Sequence, residues 1–134
     1  MDKPKFILDG NDFTTLEEFY DEITIVLSLP SWWGRNLDAF NDVLRSDFMP
    51  EQGYILIWKN SHLSKQFLGY EETARQLTKK LEKCHPDNVL SIQKQLDKAK
   101  QHIGPTVFDW LVVIIRDHCP GGSKDEDNAE LILE

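Results

Sequence analysis

The sequence predicts a small α/β fold: three parallel strands in one sheet, packed with helices, with a helical hairpin in the second half of the chain. Three observations carry this. Tyr54-Ile55-Leu56-Ile57-Trp58 is an almost uniformly apolar run between turn-forming residues, the pattern of a central strand buried on both faces. Shorter strand-like runs, Lys5–Leu8 and Ala129–Leu133, lie on either side of it in the chain. Between these runs apolar residues recur at spacings of three and four, and strands separated by helices pair in parallel through crossover connections. With 134 residues the chain is expected to form one domain over 1–134, built around a single sizeable core.

Lys5-Phe6-Ile7-Leu8 leads into Asp9-Gly10, a pair expected to supply the positive-φ position of a tight reversal. Thr14 and Thr15 each have a glutamate three residues on, Glu17 and Glu18, which offers two registers of a capping box. Leu16, Phe19, Tyr20, Ile23 and Leu27 then recur at helical spacing, and the helix ends before Pro30. A second helix is predicted from about Asn36 to Arg45, with Leu37, Phe40, Val43 and Leu44 on one side and Asp38, Asn41, Asp42 and Arg45 on the other. Beyond the central strand, Ser61 to Leu68 forms a short helix and Glu71 to Lys83 a longer one with a narrow seam of Ala74, Leu77 and Leu81. Val89, Ile92, Leu96, Ala99 and Ile103 repeat that pattern, and Cys84-His85-Pro86-Asp87 supplies a reversal and an N-cap, so the two seams are expected to close as a hairpin.

Val112-Val113-Ile114-Ile115 on its own suggests a strand. Its context favours a helix over Val107–Asp117. Gly104-Pro105 places proline at the first helical position, Val107, Phe108, Leu111, Ile114 and Ile115 keep one apolar face, and Cys119-Pro120-Gly121-Gly122 stops it. An acidic loop from Ser123 to Asn128 precedes the last strand.

Fifteen basic and 23 acidic residues leave a net charge of −8. That argues against a general nucleic-acid binder, whose surface must be cationic where it meets phosphates. The bias is uneven: nine acids stand against Arg35 and Arg45 between Asp9 and Asp47, and nine bases against five acids between Lys59 and Lys100. The first third is therefore a candidate face for a basic partner, the plain alternative being solvated surface with accidental bias. No apolar run approaches the ~20 residues that span a bilayer, and the first residues carry no signal-peptide pattern, so a cytoplasmic protein is expected. Cys84 and Cys119 are the two cysteines, too few for a disulfide framework. Cys84-His85 and His118-Cys119 would have to meet before zinc had two sulfur and two nitrogen ligands, and neither forms a Cys-x-x-Cys unit, so no metal site is expected. Phosphate-binding glycine loops, a Gly-x-Ser-x-Gly elbow and a His-Glu-x-x-His motif are missing from the sequence, and no enzymatic activity is expected.

The unusual segment is Trp32-Trp33-Gly34-Arg35-Asn36-Leu37-Asp38-Ala39-Phe40-Asn41-Asp42, with paired tryptophans at a helix entrance and carboxylates at i and i+4. Like charges one turn apart repel by a few tenths of a kcal/mol, and Asp42 lies beyond the first turn where the helix dipole favours an anion. Arg35 precedes Asp38 by three residues and Arg45 follows Asp42 by three, so one reading is a surface ladder of weak ion pairs. Another is a general acid and base, but a short exposed helix offers no desolvation to shift a carboxyl pKa. A protruding acidic recognition face fits the pattern better.

Ile7-Leu8-Asp9-Gly10 followed by Leu29-Pro30-Ser31-Trp32-Trp33-Gly34-Arg35-Asn36-Leu37-Asp38-Ala39 resembles the barstar family of intracellular ribonuclease inhibitors. The likeness runs from about Lys5 to Lys65, and the strand Tyr54 to Trp58 with Ser64-Lys65-Gln66 continues it. The resemblance implies a barstar-like sheet and helices, with the segment from about 71 to 103 as an inserted helical hairpin. It also implies that the acidic helix and the loop before it plug a nuclease active site, their side chains standing in for RNA phosphates. On that basis Asp38 and Asp42 match the two helix aspartates, Asn36, Leu37 and Ala39 match neighbouring contacts, and Trp32 stands at an aromatic loop position. Asn41 replaces an aromatic contact, Arg35 places a positive charge in an acidic loop, and no glutamate stands near Val113 where the family has an acidic contact. The implied partner is a basic ribonuclease or nuclease toxin domain bound by an immunity protein that is monomeric when free. No cofactor, membrane or direct nucleic-acid contact is implied. A protein-binding module with a non-nuclease partner is the alternative from a different class.

Overall fold

The computed structural model describes residues 2–45 and 47–134, and among these three parallel strands form one sheet packed with six α-helices. In chain order the elements are β1 (Lys5–Asp9), α1 (Leu16–Val26), α2 (Leu37–Val43), β2 (Tyr54–Lys59), α3 (Ser61–Phe67), α4 (Tyr70–Lys83), α5 (Val89–Lys100), α6 (Val107–Asp117) and β3 (Ala129–Leu133). β2 is central. Leu56 lies opposite Phe6 of β1 and Leu131 of β3, both in parallel register.

Burial along β2 alternates: Tyr54, Leu56 and Trp58 are fully buried, while Ile55 and Ile57 are half-buried on the second face. Trp58 anchors the core, stacked between Phe19 of α1 and Phe108 of α6 at centroid separations of 5.8 and 5.1 Å, with its indole N–H donating to Ser64 Oγ at 2.9 Å. α1 starts at Thr15, whose hydroxyl accepts from Glu18 N–H, while Thr14 donates to the Glu18 carboxylate. Thr15 is therefore the cap, but the expected box is only half formed, since the Glu18 carboxylate accepts from Thr14 instead of from the Thr15 N–H, and Glu17 is left for another partner.

The helix assignment for 107–117 holds with those bounds, but its start is built differently from the expectation. Thr106 is the N-cap and forms a reciprocal capping box with Asp109, so Pro105 precedes the cap instead of occupying the first helical turn. Two further corrections concern small features. Gly10 does not adopt a positive φ; it is glycine because a Cβ there would come within 2.3 Å of the Asn60 carbonyl oxygen and 2.6 Å of Ser64 Oγ. Ile103, expected as the last seam residue of the hairpin, lies beyond the end of α5 and is exposed. The reversal between α4 and α5 is a short 3-10 turn, Pro86–Asn88, capped by His85 Nδ1 accepting from Asp87 N–H at 3.1 Å.

Hairpin and sheet have separate cores. Leu77, Ile92, Leu96 and Ala99 cluster between α4 and α5, and Trp110 of α6 packs against both this cluster and the main one.

Candidate functional site

The loop entering α2 buries one tryptophan and presents the next. Trp33 packs edge-on against Tyr20, and its indole N–H donates to Thr24 Oγ1 at 2.8 Å. Trp32 is 74% exposed and meets the exposed ring of Phe48 with centroids 6.2 Å apart. Gly34 and Arg35 then adopt φ values of +97° and +47°, a left-handed pair that turns the chain into the helix. A Cβ at Gly34 would approach the Ala39 Cβ to 3.1 Å, so both the sign of φ and the space favour glycine. Asn36 is the N-cap, accepting from Ala39 N–H at 2.8 Å.

A seven-residue helix is too short to persist by itself, and α2 is held from behind. Phe40 and Val43 are buried in the main core, and Leu37 and Ala39 pack against it half-buried. Asn41 also turns inward: its Oδ1 lies 2.8 Å from His118 Nε2, and His118 Nδ1 lies 2.5 Å from Asp127 Oδ2. His118 is completely buried and Asp127 nearly so. This Asn41–His118–Asp127 chain of hydrogen bonds joins α2 to the end of α6 and to the turn before β3.

Asp38 and Asp42 stand on the outer face of α2, both exposed. Among the described residues neither carboxylate has a hydrogen-bond or ion-pair partner. The ladder of ion pairs that the spacing allowed does not form, because Arg35 pairs instead with Asp21 of α1. Of the eight residues singled out in the sequence, Trp32, Arg35, Asn36, Asp38 and Asp42 are exposed together. Leu37 and Ala39 face the core, and Asn41 commits its carboxamide to His118. Phe48, beside Trp32, carried no periodic or spacing signal that would have singled it out.

A second polar network flanks this face. Glu72 of α4, 5% exposed, accepts from Leu16 N–H at 2.8 Å and so caps α1 from 56 residues away. Glu17 accepts from Gln76 at 2.6 Å, from Lys79 at 2.8 Å, and from Arg75. Partial burial alone would raise the Glu17 carboxyl, but the hydrogen bonds from Gln76, Lys79 and Arg75 more than reverse this and hold it at about 2.

The two Cys-His pairs are not brought together: Cys84 packs with the hairpin cluster beside an exposed His85, whereas Cys119 packs against the main core beside the buried His118. Among the described residues no group of three or more His, Cys, Asp or Glu is placed to hold a metal ion, and no helix is long and apolar enough to cross a membrane.

Compared with known protein families, residues 4–114 match the model described as "Barstar (barnase inhibitor)". The chain belongs to the barstar family. Barstar-family proteins are inhibitors, not enzymes. A relative from Bacillus subtilis (strain 168), named "Putative ribonuclease inhibitor YrdF", is 38% identical over 65 residues, which covers 48% of this chain and 69% of that protein. The barstar-family match spans the sheet's first two strands, the candidate face on α2, and the hairpin.

Proposed function

We propose that this barstar-family chain is a cytoplasmic immunity protein that inhibits a basic ribonuclease or nuclease toxin, closing its active site with α2 and loop 32–36. The observation that carries this reading is the outer face of α2. Asp38 and Asp42 lie one turn apart, exposed and without side-chain partners among the described residues, on a helix whose other face is fixed in the core. Two anions held at fixed geometry substitute for RNA phosphates, and a cationic cleft supplies the counter-charges that the chain itself withholds. Trp32 adds a large, rigid apolar anchor beside them. The inhibitor works as a monomer by occupation alone, with no cofactor, no membrane and no direct contact with nucleic acid.

We also infer that the α4–α5 hairpin is an insertion into one barstar-like domain. The Tyr70 hydroxyl donates to the Gly104 carbonyl at 2.9 Å, so the two ends of the segment meet, and the hairpin carries its own apolar cluster.

The function is tested by titrating the protein into a panel of basic microbial ribonucleases, barnase among them, while each cleaves a fluorogenic RNA. Stoichiometric inhibition of at least one enzyme, lost in Asp38→Ala and Asp42→Ala, supports the reading. Undiminished cleavage across the panel overturns it and leaves a binding module with a non-nuclease partner.

A further inference from the structure

β1 is an edge strand: in the order β1-β2-β3 one side of it pairs with β2, and among the described residues the other side meets no strand. The ladder decides which of its peptide groups are left over. Ile55 N–H donates to the Pro4 carbonyl and Gly10 N–H to the Lys59 carbonyl, both at 2.8 Å. Alternate residues of a parallel strand bond the same neighbour, so the peptide groups of Lys5, Ile7 and Asp9 point away from β2. Of these, the Asp9 carbonyl is used within its own turn, accepting from Asp12 N–H at 3.0 Å. The side chains of the same three residues share the sheet face that the helices leave uncovered, because right-handed crossovers in this strand order carry every helix to one side. Lys5 is exposed and has no ion-pair partner among the described residues, and Ile7 is 52% exposed. Asp9 Oδ1 accepts from Asn11 N–H and from Asn60, and no ion pair joins Asp9 to Lys59, its neighbour on β2.

We propose that β1 is a self-association edge, taking the β1 strand of a second copy of this chain in antiparallel register about a two-fold axis at Ile7. In that register Lys5-Phe6-Ile7-Leu8-Asp9 is its own complement. Lys5 faces the second copy's Asp9 at both ends of the pairing, Ile7 faces Ile7, and Phe6 faces Leu8 on the helix-covered side. The backbone agrees with the side chains. Ile7 and its copy form a hydrogen-bonded pair that exchanges N–H and carbonyl bonds, and Asp9 N–H donates to the second copy's Lys5 carbonyl. A foreign extended segment would satisfy the same peptide groups, but this chain's own strand also brings opposite charge to both ends and apolar side chains to the middle. The pairing is independent of the inhibitor reading and leaves its face open: α1 packs over β1, whereas α2 packs against α6, which lies over β3. One chain still occupies one nuclease, and the pair replaces only the free monomer that the family resemblance implies.

Two five-residue strands bury far less than the ~800 Å² per partner of a stable complex, so the dimer is expected to be weak, with a Kd on the order of 100 µM. Sedimentation equilibrium of the intact chain should show the mass rising from 15.6 kDa toward twice that value as concentration passes through this range. Over the same range the amide hydrogens of Ile7 and Asp9, which point to the open edge, should exchange several-fold more slowly. Ile7→Pro removes a donor from that edge without breaking the β1–β2 ladder, so it should abolish the dimer while the chain still unfolds cooperatively. Lys5→Glu sets like charges opposite each other at both ends and should weaken pairing about tenfold. A mass that stays at one chain up to about tenfold above the expected Kd, or a dimer unaffected by either substitution, overturns the proposal.

Discussion

Replacing Asp42 with alanine is expected to weaken inhibition while strengthening the fold. Asp42 is the second-last residue of α2, exposed, and one turn beyond Asp38. At that end of a helix the macrodipole disfavours an anion by about 0.3–1 kcal/mol. Repulsion from Asp38 adds ~0.2–0.5 kcal/mol, and alanine is the better helix former by roughly 0.5 kcal/mol. In a short helix held mainly by its core face these effects are only partly realised, which leaves about 1 kcal/mol of stabilisation, or a melting temperature raised by roughly 3 °C. Asp38 differs because it lies in the first turn, where the dipole favours it; Asp38→Ala should leave stability nearly unchanged. Binding moves the other way. Truncating one member of a desolvated interfacial charge pair costs about 2–5 kcal/mol, or roughly 30- to 5,000-fold in Kd. Charge pairs of the barnase–barstar complex help define that range, so the magnitude is borrowed from the family and only the sign is worked from this chain. Thermal melts and inhibition constants on fluorogenic RNA check both halves. A melting temperature several degrees lower with inhibition intact would make Asp42 a structural residue and refute the site.

Acid stability should depend on Glu17. Its carboxyl is lowered from 4.5 to about 2 in the folded state, so its contribution is complete above about pH 4.5 and is lost as pH falls through about 2. The half-exposed side chain limits that contribution to roughly 1 kcal/mol, and Glu17→Gln should flatten this part of the stability–pH profile; an unchanged slope would refute the pairing with α4. Association with the nuclease should slow steeply as salt rises past about 0.1 M, where the screening length is ~10 Å, while dissociation changes less; stopped-flow rates that stay flat would remove the electrostatic account. Excising residues 71–103 and joining the ends with a short Gly-Ser linker should leave a cooperatively folding domain, since Tyr70 and Gly104 already touch. It should be weaker by about 2–4 kcal/mol because α1 loses the Glu72 cap, Glu17 loses its partners on α4 and Val107 N–H loses Thr73 Oγ1; non-cooperative unfolding would show that the hairpin belongs to the main core.

The legible parts of the fold were those set by neighbours in the chain. The apolar run 54–58 marked the central strand, and Cys119-Pro120-Gly121-Gly122 ended α6, which let helical context override the β-branched run 112–115. What escaped were contacts between residues far apart in sequence. Glu72 reads as an ordinary first-turn acid of α4, yet it caps α1 across 56 residues. Gly10 reads as a turn glycine, yet close approach of the Asn60 carbonyl is what excludes a side chain. Arg35 stands three residues before Asp38, but its left-handed backbone aims the guanidinium at Asp21 instead. For the candidate site the outward carboxylates followed from helical periodicity. Asn41 did not, because periodicity placed it on the polar side and gave no sign of a buried histidine to receive its carboxamide.

The Asn41–His118–Asp127 link divides α2 into two sides with different freedom to change. Its inward side is tied by hydrogen bonds and aromatic packing, so substitutions at Phe40, Asn41 or Val43 disturb the interior. Its outward side contributes nothing that the fold depends on; Asp38 and Asp42 mildly oppose each other. Mutational drift at those outward positions therefore meets no barrier from folding, and on the proposed reading of α2 a lineage would retarget the inhibitor by exchanging one or two exposed side chains.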